Sequence, residues 1–399
     1  MPMQAKARQA WISAVCLAGL LTACSRPPKP GTYSWDPKAA AAYLDQREVT
    51  WMQWPGAARD HGTFCVSCHT VVPYILSRPA LRKVLAEPAP SDTERRIIEN
   101  VAKRVQLWNE VEPYYPDAYK PGGTATSRGT EAVLNALILA NYDTESGHLS
   151  EITRAALNNM WSLQLKEGDG KGSWSWLTFG MEPFEAKDSQ YYGAALAAVA
   201  TGIAPDNYRA SAGIQDNLRL LRDYLNRELA RQSTMNRVVL LWASTTLPGL
   251  LDSKEQKAIV TEVLDQQQAD GGWKLSSTAW PDDWSLHSII RRRIREDWSR
   301  QDTRTDGYAT GLITFVLQAA GLSRQDPNVQ RGLTWLACNQ GKEEGSWYSY
   351  SLSNRRNPSS NVGHFMRDAA TAYAVLALSE GGVPTSSQHA STESHSSPK

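Results

Sequence analysis

The chain is poor in cysteine, poor in phenylalanine and nearly without net charge. Five cysteines in 399 residues, unevenly spaced, exclude a disulfide scaffold. Lys and Arg number 42 against 41 Asp and Glu, for a net charge of +1. That balance gives no electrostatic footprint for a nucleic-acid partner. No stretch after residue 21 reaches the roughly 18 apolar residues of a transmembrane helix. No alternating strand pattern is visible either. Phenylalanine occurs 5 times but tryptophan 15 times. Tryptophan joins a large apolar body to a polar handle, which suits helix-packing corners and cleft walls.

The N-terminus has the form of an export signal. Lys6 and Arg8 precede an apolar run, Trp11 to Leu21, too short to span a bilayer. The run ends in Leu21-Thr22-Ala23-Cys24, which resembles the bacterial lipobox. By that resemblance, residues 1–23 are a lipoprotein signal and Cys24 is the lipidated residue. Ser25 beside it favours the outer membrane, facing the periplasm. Pro- and Gly-rich sequence up to about residue 40 reads as a tether.

Phe64-Cys65-Val66-Ser67-Cys68-His69 contains Cys-x-x-Cys-His, the attachment signature of c-type haem. Cys65 and Cys68, one helical turn apart, are spaced to form thioethers to one porphyrin, with His69 as proximal iron ligand. The expectation is one covalent haem in a segment spanning 41–120. The distal ligand is open. No Met lies between His69 and Met160, so Met52, Met160, Met181, Met235, Met366 and His364 are candidates, with Met366 taken forward. A thioredoxin-like pair would need a βαβ context, and a structural zinc site a second ligand pair.

From residue 93 the sequence reads as successive amphipathic helices. Within them a turn recurs: Gln164…Gly172-Ser173-Trp174, Gln268…Gly271-Gly272-Trp273 and Gln340…Gly345-Ser346-Trp347. Each follows one helix and precedes a small-residue helix with an acidic residue near its start: Asp188, Asp306 and Asp368, with Glu131 as a fourth member. Small side chains let such helices crowd around an axis.

These Gln…Gly-x-Trp turns resemble the repeat of squalene–hopene cyclases, related terpenoid cyclases and protein prenyltransferases. The resemblance implies an all-α fold, a single α/α toroid of six hairpins over 121–383, preceded by the short helical haem segment. Residues 384–399 read as a disordered tail. The resemblance carries less about chemistry. The Asp-x-Asp-Asp acid of triterpene cyclases is missing, and Asp282-Asp283-Trp284-Ser285-Leu286 fails the Asp-Asp-x-x-Asp magnesium pattern at its last position.

What remains is a ring whose acidic helix starts should face one mouth, with Asp188, Asp306 and Asp368 as candidate general acids. Helix capping is the plainer reading of these residues. The second turn is followed by an insertion carrying Arg291, Arg292, Arg293 and Arg295, a basic amphipathic segment suited to anionic lipid or to a solvated surface. The expected function is an envelope haem protein with a redox role, a possible redox partner and an apolar, isoprenoid-like ligand. A haem sensor, a terpenoid cyclase-like enzyme and a glycan-processing toroid are the alternatives.

Overall fold

The computed structural model describes residues 33–279, 304–352 and 356–386. The signal, Cys24, the Asp282-Asp283 pair, the arginine-rich insertion and most of the tail lie outside the described residues.

Twelve helices of twelve residues or more are present among the described residues. They are α1 (Pro37–Gln53), α2 (Val71–Leu85), α3 (Asp92–Gln106), α4 (Gly123–Asp143), α5 (Glu151–Ser162), α6 (Ser189–Ile203), α7 (Gln215–Glu228), α8 (Thr234–Thr246), α9 (Ser253–Asp265), α10 (Gly307–Ala319), α11 (Pro327–Cys338) and α12 (Asn361–Glu380). A two-residue hairpin pairing Ala58–Arg59 with Thr63–Phe64 is the sole sheet among them. The even-numbered helices form the inner ring, packing in the order α2, α4, α6, α8, α10, α12 and back onto α2. The odd-numbered helices lie outside, with α3 and α5 on α4, α7 on α6, α9 on α8, α11 on α10 and α12, and α1 on α2 and α12. The chain is therefore an all-α protein, an α/α toroid.

Inner helices are buried on nearly all sides, and their composition allows it. In α10, Gly311 sits where a Cβ would come within 2.7 Å of the Ala374 backbone nitrogen of α12. Leu, Val and Ala fill the remaining inner-helix positions, so the core runs unbroken around the axis. Five of the six outer helices begin with side-chain caps, at Asp36, Ser91, Ser150, Asp252 and Asp326, and α7 begins without one.

The recurring turn is a staple. Its tryptophan is fully buried and donates Nε1–H to a carbonyl near the end of the preceding outer helix: Trp174 to Met160, Trp273 to Val263, Trp347 to Leu336. Its glutamine reaches from its own turn to the start of the next outer helix. Gln164 donates to the Gly172 and Asn217 carbonyls, and Gln340 to the Gly345 and Asp36 carbonyls. In the middle repeat this role belongs to Gln267, which donates to Gly271 and Asn328, and not to Gln268 as the sequence spacing suggested.

The third staple closes the ring. The Asp36 amide donates back to Gln340, and Trp35 is bridged to Thr385, so both ends of the described chain meet there. Tyr33 is tied to Gln330. The tether expected to run to residue 40 is thus packed from Tyr33, and the tail expected from 384 is paired through Ser386.

Gly345 has φ +70°, and a Cβ there would lie 2.4 Å from the Ala39 backbone. Gly345→Ala is expected to cost about 1–3 kcal/mol through overpacking and strain. Urea denaturation measures this; an unchanged midpoint would remove the closing role assigned to the turn.

The segment expected to precede the ring is part of it. The helix that follows Cys65-Cys68-His69 is α2, which sits between α4 and α12. The motif therefore lies at the start of an inner helix, at a mouth of the toroid.

Candidate functional site

The hairpin before α2 is held from three sides. Asn100 exchanges two hydrogen bonds with Phe64, the Val66 amide donates to the Tyr114 hydroxyl, and Trp51 Nε1 donates to the Cys65 carbonyl. Ser67 then caps α2, accepting from the Thr70 and Val71 amides, while its carbonyl takes the Val72 amide. These contacts fix Cys65, Cys68 and His69 around a cavity of about 180 Å³. Trp51, Trp54, Tyr115, Phe179 and Phe365 supply flat walls, with Met181 and Glu185 among the remaining lining residues.

His69 is buried and stacks on Phe365, ring centroids 3.7 Å apart. The Thr70 hydroxyl donates to Asp368 at 2.9 Å, so its own hydrogen is committed. His69 Nδ1, 3.0 Å from Thr70 Oγ1, must therefore be the donor of that bond. The tautomer is set, and Nε2 is left without a proton. Burial lowers the His69 pKa to about 3, with Arg356 and Arg47 acting the same way, so the ring is neutral at physiological pH.

Asp368 lies in the eighth position of α12, not at its start. It accepts from both Arg47 Nε and Nη2, from Tyr43 and from Thr70. Its lone pairs are committed to holding α1, α2 and α12 together, and it orients His69 through Thr70.

Glu185 was not singled out from sequence. It follows α5 in the loop that runs from Trp174 to α6, and the one available signal was an acidic residue beside Phe184 in an aromatic stretch. It is buried and lines the cavity. Burial lifts its pKa from 4.5 to about 7, against the pull of Arg356, a hydrogen bond from the Cys68 thiol, and Lys120. The thiols are shifted as well. Burial pushes Cys65 up to about 12 and Cys68 well above its usual value. Both rest as protonated thiols.

Other expected site residues are not brought together. Asp306 caps α10, accepting from the Tyr308 and Ala309 amides, and also takes the Leu275 amide and the Ser349 hydroxyl. Burial raises its pKa to about 6 despite those four donors. Asp306→Ala is expected to cost about 2 kcal/mol as a lost cap with orphaned partners; a loss under 0.5 kcal/mol in urea melts would argue against a structural role. Asp188 stands at the N-cap position of α6 without a side-chain capping hydrogen bond, and Glu131 lies well inside α4. Neither lines the cavity, nor does Met366; Phe365, its neighbour, is the residue against His69, and Met181 is the methionine in the lining.

The donor set has the chemical types that hold a c-type haem, but the space does not match. A cavity of about 180 Å³ is below the roughly 300–1,000 Å³ of ordinary cofactor pockets. Among the described residues no group of three or more His, Cys, Asp or Glu is arranged to hold a metal ion.

No protein-family model matches the chain, and no curated protein matches it. Solved structures do. One, named "Glycosidase Wild Type", is 13% identical with a TM-score of 0.47, over 87% of this chain and 98% of its own. A glycosyl hydrolase of family 88 from Bacteroides vulgatus is 12% identical with a TM-score of 0.36, over 88% of this chain and 93% of its own. At such identity and overlap these likenesses carry no argument about activity. The redox, electron-transfer and haem-sensing roles expected from the sequence, and the terpenoid-cyclase alternative, are withdrawn.

Proposed function

We propose that this toroid is an acid–base protein for small, ring-shaped organic ligands, acting in the cavity at its mouth with Glu185 as the proton-transferring group. The observation that carries the reading is Glu185 itself. It is a buried carboxyl, poised near neutral pH, in a pocket walled by flat aromatic rings. A strongly shifted group in such a cleft is a recognised mark of function, and a pKa near the working pH suits general acid–base catalysis. Phe365, Trp51 and Trp54 would stack on the ligand ring. Glycoside hydrolysis by the usual pair of carboxyls requires two of them about 5–9.5 Å apart. The described lining contains one, so proton transfer is the reaction class proposed.

The test is deuterium exchange alpha to the carbonyl of small cyclic ketones, followed by NMR, with p-nitrophenyl glycosides assayed alongside. Glu185→Gln should abolish an exchange activity whose pH dependence centres near 7. Exchange indifferent to Glu185 overturns the proposal, and Glu185-dependent glycoside hydrolysis would replace it.

Two expectations from the sequence stand as separate proposals. Covalent haem on Cys65 and Cys68 would need the cavity to open; an alkaline pyridine spectrum of the exported protein lacking a haemochrome band rejects it. Lipid attachment at Cys24 predicts that Cys24→Ala moves the protein from membrane to soluble fraction. Membrane retention of that variant would reject the anchor.

A further inference from the structure

A second cavity lies between the second and third staples, and none of its lining residues borders the cavity at Glu185. It measures about 530 Å³, inside the usual range of small-molecule pockets. The second turn contributes Gln268 and Asp270, and the end of α11 contributes Trp335 and its C-cap Asn339. Lys274, just after Trp273, Arg304, just before α10, and Tyr348, just after Trp347, complete the charged and aromatic lining.

The polar groups here are set by the protein itself. Asp270 accepts from the Gly272 amide at 3.2 Å through one oxygen and from Trp335 Nε1 at 3.1 Å through the other. Asn339 donates to the Trp335 carbonyl at 2.8 Å, and Gln268 to the Gln266 carbonyl at 2.7 Å. Those bonds fix which end of each amide is nitrogen, so the position of each side-chain oxygen is fixed as an acceptor. The Arg304 guanidinium lies over the Tyr348 ring, 4.7 Å from its centroid, and Tyr348 is exposed. Two cations therefore share the lining with one carboxylate whose oxygens each already accept an N–H, and the excess charge is positive.

We infer that this cavity is a binding site for a hydroxylated ring that carries an anionic group, such as a sugar acid or a sugar phosphate. A hydroxyl both donates and accepts, so it suits the oxygens of Asn339, Gln268 and Asp270. Lys274 and Arg304 take the anionic group through charge-assisted bonds. Trp335 and Tyr348 give the ring's C–H surface an apolar contact. A purely apolar ligand would strip water from these polar groups without replacing it. A cation would meet two charges of its own sign. The site is independent of the acid–base reading, because it shares no residue with that cavity.

The experiment is calorimetric titration of the full chain with glucuronate, glucose 6-phosphate, glucose and inorganic phosphate, in the wild type, Lys274→Met, Tyr348→Ala and Glu185→Gln. At least one of the two sugar anions should bind, and more tightly than glucose or phosphate by about tenfold, the size of one charge-assisted hydrogen bond. Preference for glucuronate or for glucose 6-phosphate assigns the anionic group as carboxylate or phosphate. Lys274→Met should remove that advantage, Tyr348→Ala should weaken the sugar anions, and Glu185→Gln should leave their binding unchanged. Both altered side chains of this site reach the surface, and circular dichroism confirms that each variant is folded. No binding of either sugar anion, glucose or phosphate binding as tightly as they do, or binding indifferent to Lys274→Met overturns the inference. Loss of binding in Glu185→Gln alone would move the ligand to the other cavity and overturn it as well. Ketone exchange should be unchanged in Lys274→Met, so the fate of the proposed function is read separately.

Discussion

Replacing Arg104 with Met is expected to lower the free energy of unfolding by about 3–5 kcal/mol, the usual cost of leaving one member of a buried ion pair without its partner. Arg104 on α3 and Glu131 on α4 are both fully enclosed. Arg104 donates to Glu131, to the Thr63 hydroxyl at 2.7 Å and to the Glu112 carbonyl at 2.8 Å. It also lies over the Tyr114 ring, 4.7 Å from its centroid. Burial raises the Glu131 pKa even with Arg104 beside it, a sign that desolvation of this carboxyl outweighs the attraction. Glu131 Oε2 has no hydrogen bond, and its other cation, Arg128, stands 3.6 Å from it, so Arg104 supplies the pair's hydrogen bond. The double variant Arg104→Met/Glu131→Leu should recover most of the loss, because no charge is then left buried. Urea denaturation of the wild type, of Arg104→Met, of Glu131→Leu and of the double variant gives the coupling. A single-variant loss below 1 kcal/mol would mean that water reaches Glu131. The change should also loosen the mouth, since Thr63 and Tyr114 hold the loop that carries Cys65.

Glu185→Gln should make the protein more stable at alkaline pH and leave it nearly unchanged at acid pH. The Glu185 pKa is raised on folding, from 4.5 to about 7. Between those values the folded state binds more protons than the unfolded state, so stability falls as pH rises through the window. Below about 4.5 the carboxyl is protonated in both states and the penalty vanishes. Above about 7 it is complete. A shift of this size, at about 1.4 kcal/mol per unit, is on the order of 3 kcal/mol. Gln keeps the shape and cannot ionise, so the wild type and the variant should diverge between pH 4.5 and 7 and run parallel above that. Melting curves across pH 4–9 measure the divergence. Parallel behaviour over the whole range would mean that Glu185 is solvated and not the buried group that the proposed function requires.

Much of the ring was legible in advance because its period is written in side chains. Every helix expected from residue 93 onward is present, although α4 and α12 begin five or six residues earlier than their apolar pattern suggested. The Gln…Gly-x-Trp turns were visible because a buried tryptophan, a glycine with positive φ and a bridging glutamine leave little freedom of residue type. The middle repeat misled by one position, since Gln266-Gln267-Gln268 offers three equivalent residues and only tertiary contact with Asn328 selects Gln267. The helix α2 escaped notice, and α8 was read as a helix but not as an inner one, because neither follows such a turn. α2 even carries Pro79 in its interior.

The candidate site was half legible. Cys65, Cys68 and His69 stood out as a motif, and they do line one cavity. Their partners did not stand out. Asp368 is nearly 300 residues from Thr70, and Arg47 lies on a helix read as part of a separate segment. Asp188 and Asp306 were correctly placed at helix starts, where Asp306 is a cap and Asp188 makes no capping hydrogen bond. The acidic residue that matters is in a loop, where no periodicity marks it.

The sequence by itself determined the elements: which segments are helical, where they stop, and that a repeated staple joins them, because those properties depend on near neighbours and on residue types with few alternatives. Only the tertiary structure decided that the segment around His69 closes the ring, that Asp368 orients the imidazole through Thr70, and that Glu185 lines the same cavity as Cys68. Each of those is a contact between distant parts of the chain, and the environment that shifts a carboxyl to neutral pH is made by burial, which no stretch of sequence contains on its own.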